Sequence, residues 1–299
     1  MNATSPLTGL NNCKCIETIS SAHLIELYKS SYNVDVEDHF KGIESIYKYK
    51  CLDTGLDFFV PSSVAGTEEL YESLQEFEWF YKENKWEYEK ATRFVKPGYK
   101  VLDVGCGHGH FLNICNDLGA ESFGLEFNER AVLAATNNGL NVFQESIESH
   151  SSKSKEKYDL VCTFQVLEHV TDINSFLTSC LKVVKPGGLF LVGVPNNDSF
   201  LKFAKTNCLN MPPHHMSLWT SESLESVQRY YKCELHSIET EPLHEADWFQ
   251  AVMEERYITS RIAKLLYYRF GARKVFSKFV NENAKSIAGH TILAVYTKI

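Results

Sequence analysis

Short apolar runs alternate with amphipathic ones along the middle of the chain, and the alternation predicts the architecture. YKVLDV (99–104) reads as a buried strand and HFLNICNDLG (110–119) as a helix closed by Gly119. ESFGLEF (121–127) is a second strand, and NERAVLAATNNG (128–139) is a helix with Asn128 as N-cap and Gly139 as stop. LNVFQ (140–144) gives a third strand, YDLVCTF (158–164) a fourth and LFLVGVP (189–195) a fifth. A helix over INSFLTSCLKVVKPGG (173–188), ending on its Pro-Gly-Gly, joins the last two. Strands alternating with helices of this length form a parallel sheet covered on both faces.

Beyond Pro195 the rhythm loosens. NNDSFLKFAKTN (196–207) is helical in pattern, CLNMPPHHMSLW (208–219) is a loop, and TSESLESVQRYY (220–231) is a capped helix. YKCELHSIETE (231–241) alternates as a strand, residues 243–285 are helical in composition, and HTILAVYTK (290–298) is a strong closing strand. A helical insertion therefore precedes the last strand. Upstream, SSAHLIELYKSS (20–31) is helix-like, IYKYKCLDTGLDFFVP (46–61) reads as a hairpin, and 67–95 holds one or two amphipathic helices ending at Pro97. The expected organisation is an N-terminal region, 1–90, and an α/β domain, 91–299, that carries the insertion.

VLDVGCGHGH, beginning at Val101, ends an apolar strand on Asp103 and follows it with Gly105, Gly107 and Gly109. Glycines after a first strand give a tight turn and let a ligand approach the backbone closely. A dehydrogenase spaces them G-x-G-x-x-G, aiming a helix N-terminus at a pyrophosphate. Here the order is G-x-G-x-G beside a carboxylate, which repels a diphosphate and attracts an ammonium. Glu126 ends the second strand about 20 residues on, where an acidic residue grips ribose hydroxyls. A ligand with an amino-acid end, a ribose and no phosphate fits, and S-adenosylmethionine is such a ligand.

With these residues in place, the chain from about Tyr99 onward resembles the class I S-adenosylmethionine-dependent methyltransferases. The family's first motif corresponds to VLDVGCGHGHF, its acidic strand end to GLEFNE, its adenine-side loop to QESIE, and its fourth-strand motif to YDLVCTFQVLEHV. The resemblance implies a Rossmann-like, mostly parallel sheet of seven strands with the last antiparallel. It also implies a cofactor site at Asp103, Gly105, Cys106, Gly107, Gly109, Glu126, Phe127, Ser146, Ile147, Phe164 and Gln165. LEHV together with PPHHMSLWTSESL is similar to a bacterial branch of quinone-biosynthesis O-methyltransferases and methyltransferases of sugars or secondary metabolites. That points to a small-molecule acceptor, with a hydroxyl of a sugar or secondary metabolite foremost. A regulator that binds the cofactor without catalysis, or a protein or RNA methyltransferase, is the alternative.

Methyl transfer from a sulfonium is largely a matter of positioning, and a poorly acidic hydroxyl adds the need for a base. His169, after the fourth strand, and His214 and His215, after the fifth, belong to loops of one sheet edge and are the catalytic candidates. Loop packing is the competing role for each. In quinone-type relatives an E-x-x-E-H run binds a divalent ion; the run here starts with Gln165, which weakens any hard-cation site, and no metal is assigned.

Sugar-modifying relatives often begin with a zinc ribbon. Ser5, Thr8, Cys51 and Thr54 stand at the corresponding positions, so one ligand survives; hydroxyls are poor zinc ligands, and the ribbon is expected to persist without metal, substitution by Cys13 and Cys15 being the lesser alternative. Trp79, Phe80, Tyr81, Trp86 and Tyr88 precede the first strand, where relatives place a lid. Arg256, Arg261, Lys264, Arg269, Arg273, Lys274 and Lys278 form a basic set suited to an anionic acceptor or to a solvated face.

Composition narrows the classes further. The net charge of −8 argues against a general nucleic-acid binder. No apolar stretch approaches the ~20 residues of a membrane-spanning helix, and residues 1–10 lack a signal-like apolar run. Nine cysteines at irregular spacing, mostly in apolar runs, suggest reduced thiols and a cytoplasmic protein.

Overall fold

A computed structural model describes residues 3–75, 77, 85–155 and 157–299. The strands predicted from the apolar runs form one seven-stranded sheet. They are β4 (Lys100–Val104), β5 (Glu121–Leu125), β6 (Asn141–Phe143), β7 (Tyr158–Phe164), β8 (Val184–Pro195), β10 (Cys233–Pro242) and β11 (Ala288–Lys298). Their order is β10-β11-β8-β7-β4-β5-β6. Pairings from β6 to β8 are parallel, whereas β11 runs antiparallel to both β8 and β10. This is the Rossmann-like sheet with its last strand reversed.

Sequence signals at the helix ends act as read. In α5 (Glu129–Asn137), the Asn128 side chain accepts the Ala131 N–H at 2.9 Å. α8 (Ser221–Tyr230) opens with a capping box between Thr220 and Ser223. α4 (His110–Asp117) is followed by Gly119 at φ 81°. α7 (Ile173–Val183) stops one turn earlier than its composition suggests, because Val184 to Gly188 already belong to β8. The pattern at 196–207 yields only a 3-10 turn, Phe200–Phe203, capped by Ser199; the run is too short and polar to extend it. The insertion folds as α9 (Ala246–Tyr257), α10 (Arg261–Arg269) and α11 (Ala272–Asn283).

The N-terminal region is a second, antiparallel sheet. The expected hairpin forms from β2 (Ser45–Cys51) and β3 (Asp57–Val60). β1 (Cys13–Ser20), which has no strong alternation and escaped the sequence reading, pairs with β2. The fourth strand, β9 (Ser217–Leu218), comes from the loop that carries His214 and His215. Leu7, Tyr49, Cys51, Leu56 and Phe58 share one core with Leu177, Phe190, Trp219 and Tyr296 of the larger sheet's layers. The boundary near residue 90 thus separates stretches of chain but not hydrophobic cores.

Around the ribbon-like positions, Ser5, Cys51 and Thr54 are buried and Cys13 sits opposite Cys51 in the β1–β2 register. Cys15 is exposed and does not join them. α1 (Ser21–Tyr32), α2 (Glu68–Gln75) and α3 (Trp86–Thr92) complete the region. No helix among the described residues is long and apolar enough to cross a membrane.

Candidate functional site

The carboxyl ends of β4, β5, β7 and β8 open into one cavity of about 1510 Å³, at the sheet edge where open α/β folds bind ligands. Its floor is the turn after β4. Gly105, Gly107 and Gly109 all have positive φ, at 81°, 53° and 80°, a region that penalises any side chain. A Cβ on Gly105 would also lie 2.4 Å from Val166 Cγ2, and one on Gly109 would lie 2.4 Å from Leu140 Cδ1. Packing and dihedral thus keep these positions free of side chains, and Gly105 and Gly107 bring backbone to the cavity.

Glu126 anchors this floor from the neighbouring strand. Its carboxylate accepts the Gly107 N–H at 2.9 Å, the Phe127 N–H at 2.7 Å and the Asn128 N–H at 2.9 Å. Cys106, Gly107, Glu126, Phe127, Ser146, Ile147, Phe164 and Gln165 line the cavity together with Gly105, as the motif reading expects. Phe127 is 65% exposed at the mouth, offering a free ring face. Ser146 caps α6 (Ile147–Lys153), accepting the Ser149 N–H at 3.1 Å.

Two motif residues stand behind the lining. Gly109 shapes the turn without reaching the cavity, and Asp103 is only 1% exposed. Burial pushes the Asp103 carboxyl up to about 7, against a hydrogen bond from Cys162 Sγ (3.6 Å) and the field of Lys85. A cation placed near it would meet a group ready to ionise.

The cavity wall also holds the histidines. His169, His214 and His215 come together from two loops, with ring centroids 4.6–4.9 Å apart, and all three line the cavity. Burial drives each well below the ordinary imidazole value, His169 to about 4 and His214 to about 3. They are neutral at pH 7 and weakly basic. Glu168, 1% exposed, moves the other way: burial raises it to about 8. Its Oε1 lies 3.9 Å from His169 Nε2.

Several expectations need correction. Of the two roles open to the basic set, the structure favours the solvated face: Arg256, Arg261, Lys264, Arg269, Arg273, Lys274 and Lys278 are all exposed and none lines the cavity; Arg273 pairs with Glu254 at 3.0 Å, and Arg256 lies over Phe203. Tyr88 packs on Phe111 and Phe164 and, with Trp86, also lines the cavity. Trp79, Phe80 and Tyr81 lie outside the described residues. Gln165, in place of a carboxylate, adopts φ 59° and donates from Nε2 to Glu87 Oε1 at 3.2 Å. That strained backbone is itself a functional-site signal.

Sequence reasoning missed Lys85, Glu87, Glu241 and His290, all of which line the cavity. Glu241 is buried and faces His290 Nδ1 at 3.4 Å. Each comes from a stretch with no motif, the start of α3 or the strands β10 and β11, and only the tertiary fold brings it to the site.

Residues 74–237 match the methyltransferase domain family, just over half of the chain. A ubiquinone biosynthesis O-methyltransferase of Proteus mirabilis is 41% identical over 97 residues, covering 30% of this chain and 40% of that protein. One from Aliivibrio fischeri is 39% identical over 97 residues, covering 30% and 42%. The chain thus spans about two fifths of the length of these curated relatives. A solved structure of a SAM-dependent methyltransferase from Archaeoglobus fulgidus matches with a TM-score of 0.53 at 20% identity, over 76% of this chain and 100% of that one, a likeness of fold. The glycine turn and the acidic end of β5 lie within the matched residues, and the chain belongs to the methyltransferase domain family.

Proposed function

We propose that this chain uses S-adenosylmethionine to methylate a hydroxyl of a small, ring-shaped acceptor. The observation that carries the reading is the bare glycine turn held by the Glu126 carboxylate at the floor of the cavity. A nucleoside fits such a floor, with Glu126 Oε2, which accepts the Gly107 N–H, also accepting from a ribose hydroxyl, and Phe127, Ser146 and Ile147 around a base. Asp103 supplies negative charge for an ammonium. When bound, the cofactor supplies an electrophilic methyl group on a positively charged sulfur.

The rest falls to this chain's residues. Tyr32, Tyr71, Trp86 and Trp248 line the remaining space and suit a planar or ring acceptor. The names of the relatives, O-methyltransferases, support oxygen as the accepting atom. A base works best with a proton affinity near the ambient pH. The three histidines are too weakly basic, so Glu168 is the group suited to take the hydroxyl proton.

The test is S-adenosylhomocysteine release with a panel of catechols, phenols and sugars. Turnover with a hydroxyl acceptor, rising with pH through about 8 and lost in Glu168→Gln, is the expected result. Cofactor binding with no turnover on any hydroxyl acceptor, or turnover on amines alone, overturns it.

A further inference from the structure

We infer that His169, His214 and His215 form a site for one divalent first-row transition metal ion, such as zinc or cobalt, on the wall of the cavity. One ring nitrogen from each lies within 4.8 Å of the others, and a small inward shift of the two loops brings such a set to the ~2.0–2.1 Å of a zinc–imidazole bond.

The hydrogen bonds around the rings decide which nitrogen is available. His169 Nδ1 faces the His214 carbonyl at 2.6 Å, His214 Nδ1 the Leu209 carbonyl at 3.0 Å, and His215 Nδ1 the Asn210 Oδ1 at 3.1 Å. The Asn210 amide is oriented by its own Nδ2, which donates to Asn197 Oδ1 at 2.8 Å. All three partners are oxygen acceptors, so each Nδ1 carries the proton and each Nε2 keeps its lone pair. Proteins use this same outer arrangement to fix the tautomer of a metal-bound imidazole.

Two orphaned atoms point the same way. His214 Nε2 is buried with no hydrogen-bond partner, and so is Glu168 Oε2. A buried polar atom left unmet costs on the order of 1–3 kcal/mol, and a coordinated ion removes that cost for His214. The Glu168 carboxyl group stands beside the site, its Oε1 3.9 Å from His169 Nε2. Three neutral imidazoles favour zinc, cobalt, nickel or iron(II) over magnesium and calcium, which take oxygen ligands. Because all three rings line the cavity, a remaining coordination position opens on the acceptor space, as in catalytic sites and unlike closed structural ones. The inference requires neither bound cofactor nor methyl transfer, and stands apart from the proposed function.

Metal-depleted full-length protein, titrated with cobalt(II) chloride and followed by visible absorption, tests it. The expected result is strong d–d bands of a four- or five-coordinate ion, saturating at one ion per chain and displaced by zinc. His214→Gln/His215→Gln abolishes the bands. Asn210→Ala keeps all three ligands but releases one Nδ1, and weakens binding by roughly 10–100-fold. Circular dichroism melts establish that the variants fold; should the double variant not fold, the Asn210→Ala shift decides. The pale spectrum of the aqueous ion with wild-type protein overturns the inference. So does wild-type affinity in a folded double variant, or in Asn210→Ala when the double variant fails to fold.

Discussion

Asp103 illustrates how one buried side chain ties ligand binding to pH. Burial raises its carboxyl to about 7 from an ordinary value near 3.8. An acid raised in the folded state holds its proton more tightly there than when unfolded, so this group removes stability as pH climbs from about 4 to about 7. Glu168, raised to about 8, has the same sign over a window reaching one unit higher. Ligand-free protein should accordingly lose melting temperature across this range, and Glu168→Gln should flatten the loss; an unchanged pH profile in that variant contradicts the assignment. For a cationic ligand the sign reverses. Its binding favours the ionised carboxylate, so S-adenosylmethionine affinity should rise with pH by at most about tenfold per unit below about 7, and level off above it. Asp103→Asn should remove the slope.

Elements set the site through their ends. Gly105→Ala places a methyl group at φ 81° and 2.4 Å from Val166 Cγ2. The dihedral alone costs roughly 1–2 kcal/mol, and the stiff β-branched neighbour cannot swing aside. The variant should melt lower and lose cofactor affinity together; a stable, fully binding variant would show that the turn tolerates a side chain. Thr220→Ala breaks the α8 capping box and should cost about 1 kcal/mol with cofactor binding intact, because the cap is remote from the glycine turn. These ends are also where the sequence was most legible. Asn128, Thr220 and the strand-ending acids each have a local chemical reason that a linear reading detects. β1 escaped because its exposed face alternates weakly, and the 3-10 turn at Phe200 was overcalled because apolar spacing alone does not sustain a helix.

At the scale of the whole molecule, contact between layers decides what sequence cannot. Leu7 and Trp219 lie in one core although 212 positions apart, since β9 brings the histidine loop onto the N-terminal sheet. The three histidines were legible as candidates because their loops leave the same sheet edge. Their mutual tautomers were not, since these depend on carbonyls of Leu209 and His214 and on the Asn210 amide. Glu87, Glu241 and His290 had no local signal at all. A shared core implies a shared transition: tryptophan fluorescence and far-ultraviolet circular dichroism should report one coincident melt, and two separated melts would mean the N-terminal sheet is an independent unit.

The floor of the cavity is the centre of the account. Calorimetric titration of the wild-type chain and of Glu126→Ala with S-adenosylmethionine tests it most directly. One bound molecule per chain, with affinity largely lost in Glu126→Ala while the fold persists, is the predicted result. No binding to the wild type, or equal affinity in the variant, would contradict it.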